Sequence, residues 1–375
     1  MLVDEEINMS ETNLSDKNTL EPEAFTERMM RDLLGMANIF TQYLGLRLGL
    51  YQALIDGGPS TSAELAARTG THERYVREWL EQQTVTDTLE VDDETLPAAQ
   101  RRYSLPAGRA EVLLNHASPY YMGAIPIVLV GAVKPIAAVR EAFRSGEGVP
   151  FAEYGADVRE GSAEINRPVF MNNLAQEWLP SMADVHARLQ ADPPARVADI
   201  GCGFGWSCIA MALGYPRIQV DGLDLDEPSI QRARGLAAEH GLAERVSFQV
   251  RDAADPALAG QYDLVTAFEC IHDMSDPISA LRSMRRLAKA DGTVLVVDER
   301  TGDKFGAENF AAESILYFSS VLHCLPVGMT GLNPAGTGAL IRPDILRRYT
   351  LEAGFREMEI LPIENPSFRV YRLHQ

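Results

Sequence analysis

Four cysteines, Cys202, Cys208, Cys270 and Cys324, are all that 375 residues contain, and none forms a C-x-x-C pair. That scarcity excludes a disulfide framework and a zinc-ribbon arrangement, and it points to reduced thiols in a cytoplasmic protein. Positive charge is scarce too: 34 Lys and Arg face 53 Asp and Glu, a formal charge of −19. Such a surface repels phosphate, so neither nucleic acid nor an anionic membrane is an expected partner. Long apolar runs are missing. Tyr120 to Val139 comes nearest, but Pro126, Lys134 and Pro135 interrupt it, and it reads as a buried helix pair rather than a membrane span. Residues 1–23 lack the apolar stretch of a secretory leader and carry Asp4, Glu5, Glu6, Glu11, Asp16, Glu21 and Glu23, the composition of a disordered acidic tail. No cluster with metal-ligand spacing is seen, so no metal is expected.

With 46% apolar residues the chain can bury a core in two domains. Its organising stretch is Val197-Ala198-Asp199-Ile200-Gly201-Cys202-Gly203-Phe204-Gly205-Trp206. An apolar run ends in an acid, glycine recurs at every second position, and helix formers continue from Ser207 to Leu213. The pattern predicts strand, tight turn and helix. Glycine serves where a backbone turning under a ligand needs positive φ and no Cβ. Asp199, at the strand end, is placed to accept a hydrogen bond from a ligand ammonium group. D-x-G-x-G-x-G differs from the dinucleotide fingerprint G-x-G-x-x-G.

Upstream, Phe25 to Ile55 has helical spacing, with Leu33, Leu34, Ala37, Phe40, Leu44, Leu48 and Tyr51 on a broad apolar face that wants a partner. Thr61-Ser62-Ala63-Glu64 is a capping box opening a helix that stops at Gly70. Thr71 is expected to cap a second helix running through Gln83, with Tyr75, Val76, Trp79 and Leu80 inward. Leu89 to Val91 and Tyr103 to Leu105 complete a two-stranded wing, so residues 24–115 read as a mainly α winged-helix domain. On the second helix Glu73, Glu78 and Glu81 offset Arg74 and Arg77, and the wing adds Asp92, Asp93 and Glu94. A DNA reader needs the opposite sign, so the module reads as one for oligomerisation and cover. Residues 116–188 read as a helical connecting region. There Phe151-Ala152-Glu153-Tyr154-Gly155 suggests a loop over the ligand end of the sheet, and Arg167, Phe170, Asn172 and Trp178 read as packing before pocket wall.

From Arg196 strands and helices alternate. Strands are expected at Arg196–Ile200, Ile218–Asp224, Val246–Arg251, Tyr262–Phe268 and Thr293–Asp298, with a long helix at Ser275–Ala288. An irregular insertion spans Glu299–Leu340, a helix follows at Pro343–Ala353, and Glu357–Leu361 with Ser367–Leu373 can form a closing hairpin. Asp224 ends the second strand about twenty residues after Gly205, the separation at which an acid reaches a ribose diol. Asp252-Ala253 ends the third, where an aspartate can hold an adenine amino group.

In this order, these residues resemble the class I S-adenosylmethionine-dependent methyltransferases over about Arg196 to Gln375. With the winged helix in front, the chain is similar to the two-domain small-molecule O-methyltransferases. The resemblance implies an α/β fold with a Rossmann-like seven-stranded methyltransferase sheet in residues 189–375, and S-adenosyl-L-methionine as cofactor. It sets Asp199, Gly201, Gly203 and Gly205 against the methionine portion, Asp224 and Leu225 at the ribose, Asp252 and Ala253 at the adenine, and Phe268 beside them. It also implies a homodimer formed by the N-terminal module, which roofs the active site without touching DNA.

After the fourth strand comes Glu269-Cys270-Ile271-His272-Asp273-Met274-Ser275-Asp276, similar to the H-D-x-S-D segment of plant-type phenolic O-methyltransferases, whose histidine is the general base. A phenol with a pKa near ~10 is a poor nucleophile at neutral pH, and a histidine near ~6.5 can take its proton as the methyl is attacked. His272 is the expected base; a helix-capping histidine beside a merely polar Asp273 is the competing reading. The resemblance puts the orienting acid on Asp298, with Glu299 as neighbour, and a second acid on Leu340, which cannot serve. His323-Cys324 faces the substrate or belongs to the core. The expected function is methyl transfer to a small, aromatic, hydroxylated metabolite. N-, C- or S-methylation, and a ligand-sensing regulator built on an inactive methyltransferase fold, stay open.

Overall fold

The computed structural model describes residues 22–375 apart from residues 256, 258 and 261. The acidic tail expected at 1–23 therefore lies outside the described residues up to 21, and Pro22 and Glu23 begin a helix. The chain forms two compact units that divide after Pro106.

In the first unit, helix α1 (Pro22–Arg47) is separated from α2 (Leu50–Gly57). The single helix expected through Ile55 is interrupted because Gly49 takes φ 67, the left-handed region that only glycine enters freely. Of the expected apolar face, Tyr51 is buried against Trp79, whereas Leu33, Leu34, Phe40, Leu44 and Leu48 are exposed. Helix α3 (Ser62–Thr69) opens with the capping box of Thr61 and Glu64 and stops at left-handed Gly70. Helix α4 (Glu73–Val85) is capped by His72, whose Nδ1 accepts from the Arg74 N–H at 3.2 Å. Thr71 does not cap it, because its hydroxyl is bonded to that of Thr69. Val76, Trp79 and Leu80 face inward, but Tyr75 is 80% exposed, being at the edge of the stripe they form. Strands β1 (Glu90–Val91) and β2 (Tyr103–Ser104) pair antiparallel as the wing.

The second unit opens with α5 (Ala107–Leu114). The apolar stretch after Tyr120 becomes α6 (Ala124–Val133) and α7 (Ile136–Ser145), parted at Pro135. Among the described residues no helix is long and apolar enough to cross a membrane. Phe151–Tyr154 is a turn of 3-10 helix rather than a loop. Helix α8 (Gly155–Val169) continues into a π-helical segment, Phe170–Trp178, that buries Phe170 and Trp178 in the core; Arg167 lies over the Trp206 ring, and Asn172 is exposed. Helix α9 (Ala183–Gln190) leads into the sheet.

Strands β3 (Arg196–Ile200), β4 (Gln219–Asp224), β5 (Val246–Val250), β6 (Tyr262–Phe268) and β7 (Ala288–Glu299) run parallel, and β8 (Glu357–Ile360) and β9 (Phe368–His374) form an antiparallel hairpin beside β7. The order is β5-β4-β3-β6-β7-β9-β8. Between the strands lie α10 (Trp206–Gly214), α11 (Glu227–Glu239) and α12 (Pro277–Leu287). The insertion is not irregular: α13 (Phe310–Ser319), a π-helical turn at Ser320–Cys324 and α14 (Leu325–Gly328) form one helical run. A π turn breaks the 3.6-residue period, which hides such a helix from pattern reading. Helix α15 (Pro343–Glu352) follows. One sheet face packs under α9, the Phe170–Trp178 segment, α10 and α11, the other under α12 and α15. A strand buried on both faces is apolar throughout, as Val197 to Ile200 of β3 are except for Asp199. The chain leaves β3 in one direction and returns to its other side at β6, so a crevice opens at the carboxyl ends of these two strands.

Candidate active site

The turn after β3 is built on backbone that side chains resist. Gly201, Gly203 and Gly205 take φ 66, 50 and 76. A Cβ on Gly205 would come within 2.5 Å of the Phe248 ring, and one on Gly201 within 2.7 Å of Cys270 Sγ. The protein's own packing demands those two. A Cβ on Gly203 would meet nothing within 4 Å, so the space beside this glycine is open. The Gly203 N–H donates to Asp224 Oδ2 and the Asp226 N–H to Asp224 Oδ1, each at 2.8 Å. Asp224 is thereby lashed to the turn at the end of β4, and burial pushes its carboxyl above the usual range. Leu225 beside it is exposed. Past β5, exposed Asp252 accepts from the Ala254 N–H at 2.8 Å, with Ala253 half-buried between them.

Asp199 departs from the expectation. It is 1% exposed, and its oxygens accept from the Ser207 hydroxyl, from Cys208 Sγ at 3.3 Å and from Thr266 Oγ1 at 2.7 Å. Burial pushes its carboxyl up to about 6. The side chain fastens α10 to β3 and β6 instead of facing a ligand ammonium.

Across the crevice, β6 ends at Phe268, which is buried edge-on against Phe170. Glu269 then takes φ 53, uncommon for a residue with a side chain and a mark of functional turns. A single 3-10 turn, Ile271–Asp273, presents His272, which is 4% exposed. Its Nδ1 lies 2.6 Å from Asp298 Oδ1 at the end of β7, and its Nε2 lies 3.3 Å from Asp273 Oδ1. A carboxylate can only accept, so Nδ1 carries a hydrogen and Nε2 is the atom left for chemistry. Burial opposes a charged imidazole, yet the Asp298 and Asp273 carboxylates outweigh it and hold His272 well above the usual histidine range. His272 is therefore a buried, charge-paired residue and not the cap of α12, a role that Asp276 fills.

Of the two adjacent acids, Asp298 is bonded to His272, as expected, and Glu299 is not. Glu299 lies against Glu269 instead: burial and neighbouring carboxylates push Glu269 well up, and burial takes Glu299 to about 7. Leu340 is buried, so the acid missing there has no counterpart; Asp273 supplies a second carboxylate from the histidine's own turn. The site also contains a cluster that the sequence did not show. His272, Asp273 and Cys324 bring potential metal-ligand atoms within 4.8 Å of one another. Cys324 reaches them from the π-helical turn of the insertion, where burial pushes its thiol up to about 12. His323 is flanked by the rings of Tyr154 and Phe151 at 4.7 and 5.7 Å.

Residues 191–324 match a family described as a methyltransferase domain, and residues 36–115 match the Rv2258c-like winged HTH domain, reaching nine residues past the division between the compact units. Ajmaline N-methyltransferase of Rauvolfia serpentina is 37% identical over 105 residues, 28% of this chain and 36% of that protein, so the chain spans little more than a third of that relative's length. Ubiquinone biosynthesis O-methyltransferase of Pseudomonas aeruginosa is 28% identical over 204 residues, 54% of this chain and 80% of that protein. The solved structure of human N-acetylserotonin methyltransferase with S-adenosylmethionine superposes with a TM-score of 0.64 at 16% identity, covering 95% of this chain and 99% of the other, which establishes the likeness of fold. The chain thus joins a stretch that matches a winged helix-turn-helix domain to one that matches a methyltransferase domain, and its fold is that of a two-domain methyltransferase.

Proposed function

We propose that this protein transfers a methyl group from S-adenosylmethionine to a hydroxyl of a small aromatic metabolite, with His272 as the base. One observation carries the reading: a glycine turn, open at Gly203 and tied to Asp224, shares a sheet edge with the buried His272–Asp298 pair. The residues fit the cofactor. Asp224 and Leu225 would hold the ribose, Asp252 and Ala253 the adenine, and the turn from Gly201 to Gly205 the methionine portion, with Phe268 beneath. The cofactor supplies an electrophilic methyl group on a sulfonium sulfur. His272 Nε2 takes the acceptor's proton as its oxygen attacks, while Asp298 fixes the ring through Nδ1–H and stabilises the imidazolium. Burial of the site keeps water from competing. Labelled methyl transfer into a panel of phenols, amines and thiols tests the reaction, and calorimetry with S-adenosylhomocysteine tests the cradle. Asp224→Ala is expected to weaken that binding by about 10- to 100-fold, the loss of one to two charged hydrogen bonds; unchanged affinity counts against the assignment.

The electrostatics give a pH signature. Since carboxylates raise the His272 pKa, the imidazole form needed for catalysis accumulates only above the ordinary histidine range, and turnover should climb with pH through that higher value. Asp298→Asn removes one charge that favours the imidazolium, so the midpoint of the profile should move to lower pH while the maximum rate falls by roughly 100-fold through loss of ring orientation. A midpoint that stays or rises contradicts this linkage.

We infer that α1 makes a homodimer. Met29, Leu33, Leu34, Phe40 and Leu44 are between 40% and 63% exposed on this one helix, more apolar surface than a lone helix keeps in water. Leu33→Glu with Phe40→Glu should convert a dimer to a monomer in light scattering at equal cofactor affinity. DNA reading is not part of the proposal: Arg74 is paired with Glu78 at 2.6 Å and Arg77 with Glu73 at 3.1 Å, so carboxylates of α4 itself neutralise both arginines.

A further inference from the structure

We propose that His272 Nε2, Asp273 and Cys324 form a binding site for a thiophilic divalent cation of the Zn2+ class, and that a bound ion silences methyl transfer by occupying the base.

The three donor atoms come from two separate elements, the 3-10 turn after β6 and the π-helical turn in the insertion, and converge within 4.8 Å. A tetrahedral zinc site with bonds of about 2.0–2.3 Å sets its ligands roughly 3.5 Å apart, so small side-chain rotations would complete the set. His272 and Cys324 are buried, and Asp273 Oδ1 is a buried oxygen that has no hydrogen-bond partner although it faces Nε2 at 3.3 Å. That oxygen has only a charge contact with Nε2 and lies near a thiol, and a cation among the three donors would satisfy it more fully than a proton on the ring does. The support behind the ligands is also present. Metal-ligating histidines commonly donate their other N–H to a carboxylate, and Asp298 takes this place on Nδ1 at 2.6 Å.

Ligand chemistry selects the ion. A thiolate, an imidazole and a carboxylate suit zinc-like ions over magnesium or calcium, which prefer oxygen alone. On binding, the Cys324 thiol proton and any proton on Nε2 leave to solvent. The ion's two positive charges are balanced by the Cys324 thiolate and the Asp273 carboxylate, so the filled site is neutral and nothing is oxidised or reduced. Three protein ligands leave a fourth position open, but Nε2 can no longer accept a proton. The inhibitory consequence rests on His272 being the base; the binding does not.

The test uses the full chain after dialysis against a chelator. Titration with Co2+ should produce a thiolate-to-cobalt charge-transfer band and the visible bands of a tetrahedral ion, saturating at one ion per chain, with Zn2+ displacing it. Cys324→Ser should abolish the charge-transfer band, and Asp298→Asn should weaken Co2+ binding by about 10- to 100-fold. Absence of the band in the wild-type chain, or its persistence in Cys324→Ser, overturns the site. Zn2+ at stoichiometric amounts should also lower labelled methyl transfer at least tenfold, reversibly with chelator, and should do so less in Cys324→Ser relative to that variant's own metal-free rate. Binding without loss of turnover overturns the switch. If His272 proves not to be the base, substitution there leaves metal-free turnover intact, a result separate from the cobalt spectrum.

Discussion

His272→Asn is expected to lower methyl transfer by about 10²- to 10⁴-fold, the usual worth of a positioned general base, while affinity for S-adenosylhomocysteine stays within about threefold. Asparagine is the informative choice. Its side-chain amide can stand where Nδ1–H stands and still donate to Asp298, but it has nothing at the place of Nε2. Alanine would leave the Asp298 carboxylate, fully buried with Oδ2 already lacking a partner, without the imidazole bonded to Oδ1. An uncompensated buried carboxylate costs several kcal/mol, so a loss seen only in the alanine variant would report folding rather than proton transfer. Activity should depend on the acceptor as well. A thiol or an acidic phenol that ionises unaided needs the base least, so its rate should fall less in His272→Asn than that of a weakly acidic hydroxyl. A uniform loss across acceptors would point to orientation, and full activity with all of them would remove His272 from the reaction.

The parts of this site that the sequence made legible are those governed by local rules. A turn that needs positive φ three times in five residues can hardly be written without Gly201, Gly203 and Gly205, and an acid ending a parallel strand beside it is placed by strand length alone, as Asp224 is. The hairpin β8–β9 and the capping box at Thr61 are local in the same sense. What could not be read is whatever depends on burial or distant partners. Asp199 occupies the end of an apolar strand just as Asp224 does, yet the two hydroxyls and one thiol that claim its oxygens come from α10 and β6. Glu299 and Asp298 are neighbours in sequence, but alternation along β7 sends them to different partners, Glu269 and His272. Cys324 arrives beside His272 only because the insertion is helical with a π turn, a shape for which no residue pattern is diagnostic. The exposed face of α1 was legible as apolar, while no residue pattern says what covers it.

The second large effect is expected at a residue outside the reaction, where the insertion is held to the sheet. Glu313 on α13 is 1% exposed and receives both guanidinium nitrogens of Arg342, at 2.8 and 2.9 Å, together with the Gly302 N–H at 2.8 Å. Arg342 in turn donates to the Gly302 carbonyl at 2.6 Å. Burial alone would raise the Glu313 carboxyl, but Arg342 prevails and holds it below the usual range. The clamp thus ties the start of the helical run carrying Cys324 to the segment after β7 and to the residue that precedes α15. Glu313→Ala leaves a partly buried guanidinium unpaired, which costs about 3–5 kcal/mol. For a unit of this size that should lower Tm by roughly 6–15 °C, read by calorimetry. The replacement Glu313→Met with Arg342→Met removes both charges at similar volume and should recover much of the loss, because the penalty comes from the unpaired partner more than from the missing attraction. Cofactor affinity should change little in either variant, since the glycine turn and Asp224 take no support from the clamp. KM for the acceptor should rise, because Cys324 and His323 depend on where this helix sits. A variant with normal Tm and normal KM would mean that the insertion is held by its apolar packing alone.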